Sequence, residues 1–153
     1  MSKSRVAITA GAVFLTAALA VSLFSSQQSK NLTPEQILTW DCETAEYKPE
    51  SITITCADGG VFVEKIKWST WTKDGAYGSG ILSENLCEPS CAEGRRVEAQ
   101  VYLQLSNLTE HNGKYNLRTL DISTMDGKDF PWGRADSIQW DVMEFEFARR
   151  GYK

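Results

Sequence analysis

At 153 residues, with 42% hydrophobic and 24% charged residues, the chain has the size and composition of one folded domain and is too short for a multidomain enzyme. Its net charge of −4 argues against the clustered basic surface that phosphate backbones require, so no nucleic-acid partner is expected.

Lys3 and Arg5 precede nineteen uncharged residues, Val6 to Phe24. Such a segment is membrane-directed and predicts an N-terminal helix. Its basic residues lie on the N-terminal side, which places everything after residue 24 outside the cytoplasm, either secreted or anchored to the outer face of the cell membrane. Ala18-Leu19-Ala20 has the small-x-small form of a signal peptidase site, and the span is also long enough to stay as a tilted transmembrane anchor, so residues 1–30 are a signal peptide or a single anchor. Beyond residue 30, thirteen Lys and Arg remain against twenty Asp and Glu, a net charge of −7 whose first consequence is solubility.

Residues 31–50 read as a short helix and linker. Thr33-Pro34-Glu35-Gln36 offers an N-cap, a Pro at the first helical position and Gln three residues after the cap, which predicts a helix through Ile37 and Leu38. From residue 51 to 153 the dominant period is two. Ser51 to Thr55 alternates, Asp58-Gly59-Gly60 supplies turn chemistry, and Val61 to Trp68 follows, which together read as a hairpin. By strand parity Trp68 joins Phe62 and Ile66 in the core, whereas Trp71 falls with Lys65, Lys67 and Ser69 on an exposed face. Further strands are expected at Tyr77 to Leu82, where Gly78 and Gly80 suit close approach of a backbone or ring, at Val97 to Leu105 and at Tyr115 to Ile122. Ile138, Trp140 and Val142 alternate before the phase moves to Met143, Phe145 and Phe147, which predicts a bulge in a last strand. The expected class is all-β, a small antiparallel β-sandwich or barrel preceded by the N-terminal membrane-directed helix.

Four cysteines in an exported domain read as a disulfide framework. Of three connectivities, Cys42 with Cys56 and Cys87 with Cys91 is favoured by proximity in sequence and by the turn residues beside each pair. A zinc site is disfavoured because the sole histidine, His111, stands twenty residues past Cys91, and the three-residue spacer at Cys87 differs from redox-active C-x-x-C motifs.

The segments Cys56-Ala57-Asp58-Gly59, Trp68-Ser69-Thr70-Trp71 and Asn85-Leu86-Cys87-Glu88-Pro89-Ser90-Cys91-Ala92-Glu93-Gly94 carry a resemblance over about residues 50–122. They resemble a group of small exported or membrane-anchored actinobacterial proteins of unknown function. The resemblance implies an exported bacterial β-domain with a cysteine loop, and it assigns no catalytic residue.

Catalytic constellations are sparse. His111 lies between Glu110 and Asn112 in an expected hairpin loop, no G-x-S-x-G, P-loop or dinucleotide fingerprint is present, and no cofactor or metal is expected. Asp141, Glu144 and Glu146 near the C-terminus, and Asp126 with Asp129 in one loop, are the carboxylates a hydrolase or a weak calcium site would draw on. Trp71 and Trp132 are the candidate ligand-stacking residues. The resulting expectation is a non-catalytic cell-envelope binding module with a protein or glycan partner. The alternatives are a secreted inhibitor or effector presenting the Cys87 to Cys91 loop and a small carboxylate-dependent cell-wall hydrolase.

Overall fold

A computed structural model describes residues 31–133 and 135–151. The uncharged N-terminal run, read above as membrane-directed, lies outside the described residues; among them no helix is long and apolar enough to cross a membrane. A compact unit begins at Thr33. Here the Thr33 N–H donates to Gln36 Oε1 (2.9 Å) and the Gln36 N–H to the Thr33 carbonyl (3.0 Å). That exchange closes a single 3-10 turn, Pro34–Gln36, instead of starting the expected helix. Ile37 and Leu38 already belong to strand β1 (Ile37–Asp41), which turns at Cys42 and Glu43 into β2 (Thr44–Glu46).

The rest is mostly β. After β3 (Ile52–Thr53) come four long strands, β4 (Val61–Thr72), β5 (Gly75–Asn85), β6 (Arg96–His111) and β7 (Lys114–Thr124), then β8 (Ser137–Asp141) and one short helix, α1 (Glu144–Arg150). All eight strands form one curled sheet, a half-barrel, in the order β2-β1-β7-β6-β5-β4-β3, with β8 also on β7. Neighbours are antiparallel except β1, which runs parallel to the start of β7. The two ends of the curl are tied together. Asp41 Oδ1 accepts the Thr53 N–H at 2.8 Å, and the Cys42–Cys56 disulfide joins the turn after β1 to the turn after β3.

The concave side holds the core. Val63 and Ile66 from β4, Leu82 from β5, Val101, Leu103 and Leu105 from β6, and Leu117, Leu120 and Ile122 from β7 are all buried. Strict alternation in β6 makes it the plainest strand in the sequence, and its register against β5 runs unbroken from Asn85 opposite Arg96 to Ala76 opposite Leu105.

Strand β4 departs from simple parity twice. Lys65, at φ 54°, and Ile66 together oppose one residue of β5, and Ser69 is likewise extra between Trp68 and Thr70. Each bulge flips the alternation. The β5 glycines make room for them. A side chain at Gly80 would meet the Glu64 carbonyl at 2.9 Å, and one at Gly78 would meet the Trp68 ring at 2.8 Å, the close approach expected from their spacing.

The C-terminal phase shift has a different origin from the expected bulge. Strand β8 ends at Asp141, whose Oδ1 accepts the Met143 N–H at 3.0 Å, and the chain turns into helix α1. Val142 and Met143 are buried at this corner, and Gly151 closes the helix in the left-handed conformation.

Candidate binding face

The convex side of the sheet exposes two large aromatic residues, Tyr77 at 50% and Tyr102 at 56%. Register explains their placement. Tyr77 on β5 stands opposite Gln104 on β6, and Tyr102 stands opposite Ser79, so the tyrosines are diagonal neighbours on one face, about 7–8 Å apart for such a pair. Across β6, Gln104 opposes Asp121 and Tyr102 opposes Ser123; Asp121 in turn opposes Gln139 of β8 and accepts its amide N–H at 2.7 Å. Two aromatic rings therefore lie among amide and hydroxyl groups.

Trp71 is not on this face. The second β4 bulge turns it inward, where it is 5% exposed and donates its indole N–H to the Ile37 carbonyl (2.8 Å). Its expected exposure is thus corrected, and its candidacy as a stacking residue loses the exposed ring on which it rested. Trp68 shares the inner side with Ile66, whereas Phe62, before the first bulge, faces the convex side with Arg96 over its ring, so parity joined Trp68 correctly to Ile66 and wrongly to Phe62. Trp68 is half-buried, packs edge-on against Trp71 at 4.9 Å and donates to the Pro49 carbonyl (2.8 Å). Trp132 is half-buried and stacks on buried Phe130, with centroids 4.7 Å apart.

Helix α1 gathers the second polar cluster. Glu146 is fully buried, receives a hydrogen bond from Arg149 (3.2 Å) and pairs with Arg150. His111, at the end of β6, brings Nε2 to 3.7 Å from Glu146 and packs edge-on against both Trp40 and Phe147. It is largely covered, in contrast to the loop position expected for it. Arg118 of β7 grips Asp141 through two nitrogens (2.6–3.0 Å) and lies 4.7 Å from the Phe147 ring centroid. That hydrogen bond to Asp141 raises the Arg118 pKa further. Neither His111 nor Glu146 was joined to the other by sequence reasoning, since 35 positions separate them and no local pattern couples them.

Both expected disulfides form, Cys42–Cys56 and Cys87–Cys91, a pairing compatible with an oxidising, extracytoplasmic environment. The second closes an exposed loop braced by Asn85. Its side chain donates to the Cys91 carbonyl (2.8 Å) and accepts the Cys87 N–H (3.0 Å), which gives the first residue of the N-x-C-x-P-S-C segment a physical task.

The carboxyls with shifted pKa values are Asp58, Asp126 and Glu146. A glycosidase acid needs a raised pKa. The displaced carboxyls here move down: Asp58 through the Gly60 backbone N–H, and Asp126 through that of Lys128. At Glu146 burial pushes upward, but the hydrogen bond from Arg149, the charges of Arg150 and Arg149, and His111 outweigh it. Among the described residues no group of three or more His, Cys, Asp or Glu is arranged to hold a metal ion. No family model, curated protein or solved structure matches the chain.

Proposed function

We propose that the chain is an extracytoplasmic, non-catalytic binding module of a bacterial cell envelope, and that the convex face of β5 and β6 takes a glycan. The observation that carries this reading is the exposed diagonal pair Tyr77 and Tyr102 set among Gln104, Ser79, Ser123 and the Asp121–Gln139 pair. A sugar ring presents an apolar face and a rim of hydroxyls. Tyrosine rings offer an apolar surface for the first with little side-chain entropy to lose, and amides and hydroxyls exchange hydrogen bonds with the second. Location outside the cytoplasm is supported by the uncharged N-terminal run and by the two disulfides.

A glycan array probed with the full chain tests this proposal. The expected result is retention on envelope polysaccharides without release of shortened products. Retention of no glycan, or product release with time, would remove it. A second reading, an inhibitor or effector working through the Cys87–Cys91 loop, is favoured by the Asn85 brace and the exposure of Glu88, Pro89 and Ser90.

A further inference from the structure

The half-barrel leaves a seam. Strand β1 pairs with β7 only at Tyr115 and Asn116, and β8 takes over the same edge from Thr119 to Ser123. Two bonds fix the phase of the β7–β8 ladder: Val142 N–H to the Arg118 carbonyl (3.0 Å) and Thr124 N–H to the Asp136 carbonyl (2.9 Å). In an antiparallel ladder alternate residues point their backbone groups to the same side. Asp136, Ile138, Trp140 and Val142 therefore turn theirs to β7, and Ser137, Gln139 and Asp141 turn theirs outward. Among the described residues β8 pairs with no strand but β7, so this outer edge is a row of backbone donors and acceptors available to another chain.

A cavity of about 310 Å³ adjoins that edge. It lies between the end of β8, the turn after β3 and helix α1, and its apolar lining includes Ile54, Trp140, Val142 and Phe145. Asp58 and Glu144 also line it, and both are exposed. Among the described residues neither forms an ion pair, whereas Asp141 is matched by Arg118. The seam thus combines strand-edge hydrogen bonding, an apolar recess and uncompensated negative charge.

We propose that this seam binds one extended, basic segment of a partner polypeptide, added to β8 as a further strand. Backbone groups of Ser137, Gln139 and Asp141 supply the ladder bonds. Alternate apolar side chains of the segment enter the recess, and a flanking Lys or Arg meets Asp58 and Glu144. Backbone pairing would give affinity, and the recess with its acidic rim would give selectivity. This site is separate from the convex face carrying Tyr77 and Tyr102.

The test is amide hydrogen exchange on the full chain titrated with a pool of capped seven-residue peptides, in which Val, Ile, Leu or Phe alternates with Thr between terminal lysines. The expected result is slowed exchange at Ser137, Gln139 and Asp141. Two control pools should bind about tenfold more weakly, one N-methylated at alternate residues and one with glutamate in place of lysine. Glu144→Gln, an exposed change in the first turn of α1, should narrow the gap between the lysine and glutamate pools. Unchanged exchange at the three amides overturns the proposal, as does equal binding by the N-methylated pool. Protection of the same amides by an envelope oligosaccharide, with none by the peptides, would assign the seam to a glycan and equally overturn it.

Discussion

The convex face and the C-terminal end of the sheet are both rich in aromatic and polar side chains, but they use them differently. Around helix α1 the polar groups answer one another: Glu146 is held by Arg149 and Arg150, Asp141 by Arg118, and Phe147 lies against both Arg118 and His111. On the convex face Tyr77 and Tyr102 are half exposed, with polar neighbours at the surface. Burying a charge is costly unless it is paired and hydrogen-bonded, so the cluster around Glu146 is first a device for docking the helix onto the sheet. Exposed rings bear no such obligation and are open to a ligand. The contrast separates residues that hold the domain together from residues available for recognition.

The largest effect expected on the structural side is at Trp71. Trp71→Ala removes a buried ring and its bond to Ile37, and should cost about 3–5 kcal/mol in denaturant unfolding. A loss under about 1 kcal/mol would put Trp71 back on a surface. Next come the disulfides. Opening Cys42–Cys56 by paired serine substitution should cost about 3 kcal/mol, and opening Cys87–Cys91 about 2 kcal/mol, because the first constrains the longer loop of the unfolded chain. Equal melting temperatures for the two double variants would show that the tie between the ends of the sheet contributes nothing beyond the local loop.

Acidification gives a smaller effect with a definite sign. The folded-state pKa of Glu146 lies below its ordinary value of 4.5, so the native state binds fewer protons than the unfolded chain in that range. The resulting stability is present above about pH 4.5 and is lost as pH falls through the lowered value. Glu146→Gln should therefore make the acid limb of the stability curve shallower, as read by denaturant titrations at pH 3 to 6. Asp58 and Asp126, also lowered but exposed, leave some acid sensitivity in that variant. The smallest structural effect belongs to the convex face, where Tyr77→Ala and Tyr102→Ala should each stay within about 0.5 kcal/mol of the parent.

Much of this division was legible in the sequence where local pattern dominates. Alternation marked β6, turn chemistry marked the β3–β4 hairpin, and proximity marked both disulfides. Trp71 was misread because parity counting assumes an unbroken ladder, and the bulge at Ser69 turned into the core a residue that counting from Trp68 had put outside. Sequence parity registered the change of period after Val142, but a shift of phase at a chain end fits a bulge and the start of a helix equally well. The meeting of His111 with Glu146 depends on the curl of the sheet, which no short window contains. Tyr77 and Tyr102 lay inside recognised strands, and their alignment on one face became apparent only with the β5–β6 register.

The central proposal is that glycan recognition resides on the convex face and not in the packed polar groups around helix α1. Its most direct test is a titration of the best-retained envelope glycan against the parent and the Tyr77→Ala/Tyr102→Ala double variant, with thermal melts of both. The account predicts at least about a tenfold loss of affinity, with unfolding free energy within about 1 kcal/mol of the parent. Unchanged affinity in a variant that melts like the parent would contradict it.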